Sequence, residues 1–215
     1  MFKKFYSIVI ILCMTALLSG CGGNEFDAAG YLKGCLDAYR TGEVSEDLAA
    51  NSSESKEELQ EAIDDAYEEI EETVLNDTFG TEYVTDKTRK LAKEYAKSFF
   101  GAIKYDVSQD VEQKDDDYIV TVTVYPFKID KFNSNMDDLN NEWSNKAATY
   151  TDQKKFMQDY YEAYIEAFVN FLNDKDALEY GEGKDIKVKI TKDDDGYYEI
   201  DEDDAEKIFS SIYAG

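Results

Sequence analysis

The chain has 215 residues and a formal charge of −25, from 48 acidic side chains against 23 basic ones, and it contains no histidine. So acidic a surface repels polyanions, which argues against nucleic-acid binding and against attachment to anionic lipid through basic clusters. The missing histidine removes Ser-His and Cys-His nucleophile pairs, histidine general bases and histidine metal ligands together.

Residues 1–20 have the layout of an export signal. Lys3 and Lys4 open the chain, an uncharged stretch runs from Phe5 to Leu18, and Ser19-Gly20-Cys21-Gly22-Gly23 follows. This is a positive region, an apolar region and a small-residue cleavage site, and the apolar part falls short of the roughly 20 residues that span a bilayer comfortably. Leu18-Ser19-Gly20-Cys21 resembles the lipobox of bacterial lipoproteins. The resemblance implies that the Cys21 sulfur takes a diacylglyceryl group and that a peptidase cuts just before it. Two fatty chains on one residue anchor stably where a single chain binds marginally. The expected layout is a leader at 1–20, a lipidated tether at 21–25 and a single α+β domain at 26–215. The location implied is the outer face of the cell membrane.

The acidity does not preclude folding, because 43% of residues are hydrophobic and there are 17 tyrosines and 12 phenylalanines. From Phe26 to Arg40 the apolar residues Phe26, Tyr31, Leu32, Cys35, Leu36 and Tyr39 fall at helical spacing, and Gly42 supplies a stop. Cys35 has no partner once Cys13 leaves and Cys21 is modified, so it reads as a small hydrophobe in the core. Ser55 to Asn76 predicts a second helix, with Leu59, Ile63, Tyr67, Ile70 and Val74 on one face. Thr85 and Asp86 can cap a third, which carries Leu91, Tyr95, Phe99, Phe100 and Ile103.

At Lys104 the period changes to two. Tyr105 and Val107 alternate with polar residues, Lys114-Asp115-Asp116-Asp117 makes a turn, and in Tyr118 to Tyr125 one face carries Tyr118, Val120, Val122 and Val124. Ser134 to Tyr150 is weakly periodic and predicts a short helix or an excursion outside the core. From Thr151 to Asn173 a broad aromatic stripe, Phe156, Tyr160, Tyr164, Phe168 and Phe171, predicts a long helix buried on much of its circumference. Residues 134–176 thus form a helical insertion between strand pairs. Asp185 to Thr191 and Tyr197 to Ile200 form a second hairpin, and Asp201 to Asp204 introduce a short final helix.

Helices first, then antiparallel hairpins separated by a helical block, give an α+β class with helices on one face of a sheet. The ordering is similar to the cone-shaped NTF2-like and cystatin-like layouts. The run from Phe26 to Tyr39, with Gly42-Glu43 after it, resembles a group of uncharacterised lipoproteins of Gram-positive gut anaerobes. That resemblance implies membrane anchoring and no known reaction, and the residue it assigns is Cys21.

No motif for catalysis, cofactor or metal binding stands out, and no cofactor is expected. Gly196 as the sixth position of a calcium loop would place Asp193, Asp195 and Glu202 at ligand positions, but Thr191 would stand at the first, and the flanking alternation is that of a hairpin. The reading that best fits is a non-enzymatic anchored module for a peptide, glycan, envelope protein or small ligand. The alternative is a carboxylate-pair glycan hydrolase at the cell surface.

Overall fold

The computed structural model describes residues 16–17, 26–50, 52, 54–78, 80–192 and 197–212. The lipobox with Cys21, and Asp193, Asp195 and Gly196 of the calcium reading, lie outside the described residues. The protein is α+β, and the chain divides into two compact units. The first holds Met1–Ala66, Ile103–Pro126 and Glu182–Ala214, and the second holds Tyr67–Ala102, Phe127–Gly181 and Gly215.

In the first unit, helix α1 (Ala28–Thr41) begins where Asp27 accepts a hydrogen bond from the Gly30 amide. It ends at Gly42, whose φ of 74° is the left-handed conformation a glycine adopts without strain. The short helix α2 (Glu46–Ala50) follows, its start capped by Ser45 Oγ accepting from the Leu48 amide at 3.1 Å. Helix α3 (Lys56–Thr73) opens with a reciprocal cap, in which Ser55 Oγ accepts from the Glu58 amide while the Glu58 carboxylate accepts from the Ser55 amide. Leu59 and Ile63 of α3 are buried in the first unit.

The sheet of this unit is antiparallel throughout. Strand β1 (Lys104–Lys114) pairs with β2 (Asp117–Tyr125), β2 with β5 (Lys184–Lys192), and β5 with β6 (Tyr197–Ile200). The register places Val120 opposite Val188 and Val122 opposite Ile186, and β1 shifts against β2 between Val107 and Val111. Tyr118, Val120, Val122 and Val124 point into the core as their alternation predicts, while Ile119, Thr121, Thr123 and Tyr125 of the other face are half-buried. Helix α7 (Glu202–Ser211), capped by Asp201, packs on β5 and β2, and α1 packs on β1 and β2. The two helices meet where Tyr39 stands edge-on to Phe209, with centroids 6.1 Å apart. Cys35 lies in this core, as expected of a small hydrophobe. Ala16–Leu17, within the expected leader, pair with Tyr198 and Tyr197 at the edge of β6.

The second unit is mainly helical. It contains the buried Ile70 of α3, a π-helical turn at Val74–Thr78, a 3-10 turn at Thr81–Tyr83 and helix α4 (Asp86–Ala102). Thr88, buried one turn into α4, accepts from the Thr85 amide and donates to the Thr85 carbonyl at 2.8 Å. Helix α5 (Asp130–Ala147) occupies the segment that the sequence reads as a short helix or an excursion. Its apolar residues are few, but Phe132, Met136 and Trp143 are all buried. Phe132 stands edge-on to Phe168 of helix α6 (Gln153–Asn173), and Trp143 edge-on to Phe156 and Tyr160.

The N-cap of α6 is Asp152, one residue after the expected Thr151, and it accepts from the amides of Lys154 and Lys155. Leu91, Ile165 and Val169 form a buried cluster between α4 and α6. Phe156, Tyr160, Tyr161 and Tyr164 remain half-buried, so α6 is less enclosed in its first half than its apolar breadth predicts. Two short strands, β3 (Phe127–Lys128) and β4 (Glu179–Tyr180), close the unit as a separate ladder.

Candidate functional site

The outward side of α1 carries a cleft of about 430 Å³. Asp27, Lys33, Asp37, Ser45 and Asp47 provide its polar lining, and Tyr31 and Leu48 its apolar part. Gly30 and Gly34 lie between them, one turn apart. Gly30 makes room for the Asp27 carboxylate, whereas a methyl at Gly34 would be in ordinary contact with Leu48. A Cβ on Gly30 would sit 2.3 Å from Asp27 Oδ2, and one on Gly34 would reach Leu48 of α2 at 3.4 Å.

The loop between α1 and α2 is held by Gln60 of α3. Its Nε2 donates to the Gly42 carbonyl at 2.9 Å, and its Oε1 accepts from the Val44 amide at 3.0 Å. These bonds keep α2, and with it Ser45 and Asp47, beside α1.

Asp37 is the best-connected residue of the site. Its carboxylate accepts from Lys33 Nζ one turn earlier, from Arg40 Nη2 at 2.8 Å and from the Tyr105 hydroxyl of β1 at 2.7 Å. Burial alone would raise its pKa, but the hydrogen bonds from Lys33, Tyr105 and Arg40 together outweigh burial and hold the carboxyl below its ordinary value. Burial and then the Asp37 carboxylate push the Tyr105 phenol the other way, upward. The cleft thus places the carboxylates of Asp27 and Asp47 and the Lys33 ammonium around the ionised, ion-paired Asp37.

The same electrostatics bear on the hydrolase alternative. A general acid needs a raised carboxyl pKa at neutral pH. Among the described residues the carboxyls whose pKa is displaced, Asp37, Glu58 and Asp159, are displaced downward. Among the described residues no group of three Cys, Asp or Glu side chains could hold a metal ion.

Of the cleft residues, Tyr31 stands out in the sequence as part of the apolar stripe of α1, and none stands out as a ligand-binding group. The local signal for the cleft itself is the Gly30–Gly34 spacing on an otherwise good helix. The Asp37–Tyr105 contact joins positions 68 apart, beyond any periodic pattern.

An α+β protein with a polar cleft on its first helix is the class that this architecture defines. No family model and no curated protein sequence matches the chain. Its fold is similar to the crystal structure of a candidate lipoprotein, ycdA, from Bacillus subtilis, with a TM-score of 0.59 and 16% identity. The match covers 88% of this chain and 56% of the Bacillus chain, so the protein spans little more than half the length of that relative. Among the described residues, no helix is long and apolar enough to cross a membrane.

Proposed function

We propose that the protein is a lipid-anchored binding module on the outer face of the cell membrane, and that the cleft on α1 takes a small polar ligand or peptide end carrying a cationic group. The cleft's lining carries the binding half of this reading: three aspartates and one lysine, with Tyr31 and Leu48 offering apolar contact. The anchoring half rests on Leu18-Ser19-Gly20-Cys21 behind an uncharged segment, and similarity to the fold of a candidate bacterial lipoprotein agrees with it.

Calorimetric titration of the processed protein with amine- and guanidine-bearing peptides and glycans tests the site. Saturable binding that weakens at least tenfold in Asp47→Lys, with the unfolding temperature unchanged, is expected. Equal binding by Asp47→Lys, or turnover of a glycan with no saturable cationic ligand, contradicts the reading. Cys21→Ser tests the anchor: the variant should carry no diacylglycerol and keep its leader uncut, and an unchanged lipid mass or N-terminus contradicts it.

A further inference from the structure

The described fold of the first unit resumes at Phe26, and that residue is already docked. Its ring stacks on Tyr198 with centroids 4.0 Å apart and planes within 7°, and it also meets Tyr118 and Tyr31 at 5.5 Å. Tyr118 is the second residue of β2, directly after the β1–β2 turn. Tyr198, the second residue of β6, pairs with Lys192, the last residue of β5. Phe26 is therefore clamped at the end of the sheet where β1 turns into β2, where β5 ends and where β6 begins. From there α1 runs along the sheet to Asp37, which meets Tyr105 opposite Val124 at the other end.

We infer that the end of this unit carrying the β1–β2 turn is its membrane-facing end, and that the surface it confronts is the lipid headgroup layer. The inference rests on the anchoring reading above. Cys21 and Phe26 are five residue steps apart, and a fully extended chain covers at most about 3.6 Å per residue, so the clamp lies within about 18 Å of the lipidated cysteine. Nine-residue β2 spans about 27 Å, which puts the opposite end of the sheet beyond the reach of the tether.

The turn carries Asp115 and Asp116, both exposed, with Asp117 following. Facing anionic lipid, the chain's net charge of −25, to which these carboxylates add, repels the surface and holds the unit upright on a stretched tether instead of letting it lie flat. The repulsion is screened by salt, since the Debye length falls from about 30 Å at 0.01 M to about 3 Å at 1 M. One consequence concerns the cleft. It begins at Asp27, beside the clamp, so its ligand is met close to the bilayer.

Energy transfer tests this on the lipidated full-length protein in phosphatidylglycerol vesicles carrying a headgroup acceptor. Donors are placed singly at Asp116→Cys or Glu182→Cys, which lie at opposite ends of the sheet. Buried Cys35 and acylated Cys21 leave the new thiol as the reactive one. The expected result is a donor at 116 closer to the acceptor than one at 182 by at least about 15 Å, as nine-residue strand geometry requires. The position-116 distance should shorten at high salt, and in phosphatidylcholine it should be short and respond little to salt. A twenty-residue Gly/Ser insertion after Gly23, with a span of about 25 Å, should erase the difference between the two labels without touching the fold.

Equal distances in the uninserted protein, with lipid mass confirmed on Cys21, overturn the orientation and leave the anchoring reading standing. A protein without that mass overturns both.

Discussion

The Tyr105 hydroxyl donates to Asp37 Oδ1 at 2.7 Å, joining the edge strand β1 to the middle of α1 and making a tyrosine part of the cleft's electrostatic support. A bond of this kind to a charged acceptor contributes about 1.5–3 kcal/mol. Tyr105→Phe should lower the unfolding free energy by about that amount in urea titration, with the slope unchanged. It should also weaken any ligand that depends on the orientation of Asp37. A variant as stable as the parent would mean the bond is not held in solution.

Asp37 also makes stability depend on acid. Its folded pKa lies below the ordinary value of 3.8, so the folded state favours the ionised form. Its contribution is full above the unfolded pKa and is lost as pH falls through the folded one. Asp37→Asn should therefore be less stable near neutrality and should show a shallower loss of stability below about pH 4. Parallel acid-unfolding curves for the two proteins would contradict this.

At the alkaline limit the sign reverses. Burial, then the hydrogen bond with Tyr118, push the Tyr198 phenol up to about 12. Its contribution is full below the unfolded value of about 10 and is lost as pH rises through the folded one. Phe26→Ala opens this phenol to water, and phenolate absorbance should show one tyrosine titrating closer to the ordinary value. An unchanged titration would show that Phe26 does not cover Tyr198.

Val122 is wholly buried between Val107 and Ile186 in the sheet register. Val122→Ala should cost about 2 kcal/mol from lost burial and the cavity left behind. Thr121→Ala, on the half-buried face, should cost less than about 1 kcal/mol. Thermal unfolding of the pair checks the assignment of faces, and a larger loss at Thr121 would invert it.

The strands were legible because a half-buried strand writes its burial at period two, and Tyr118–Tyr125 carries that pattern without interruption. Helix α1 was legible for a similar reason, since its apolar spacing is closed by a glycine at the left-handed position. Helix α5 was legible only as a short helix or an excursion outside the core, because Phe132, Met136 and Trp143 are too sparse to mark a face until α6 supplies the surface that buries them. The short α2 escaped for want of length, and its placement depends on Gln60, a polar residue in another helix. The cleft was hidden because it turns on Gly30 and Gly34 and on the distant partners Asp37 and Tyr105.

The central claim is attachment through Cys21, and intact-mass analysis of the membrane-extracted protein, with fragmentation of its N-terminal peptide, tests it most directly. The account predicts a chain that begins at Cys21 and carries diacylglycerol on the sulfur. An N-terminus elsewhere, or an unmodified thiol at Cys21 in membrane-bound material, would contradict it.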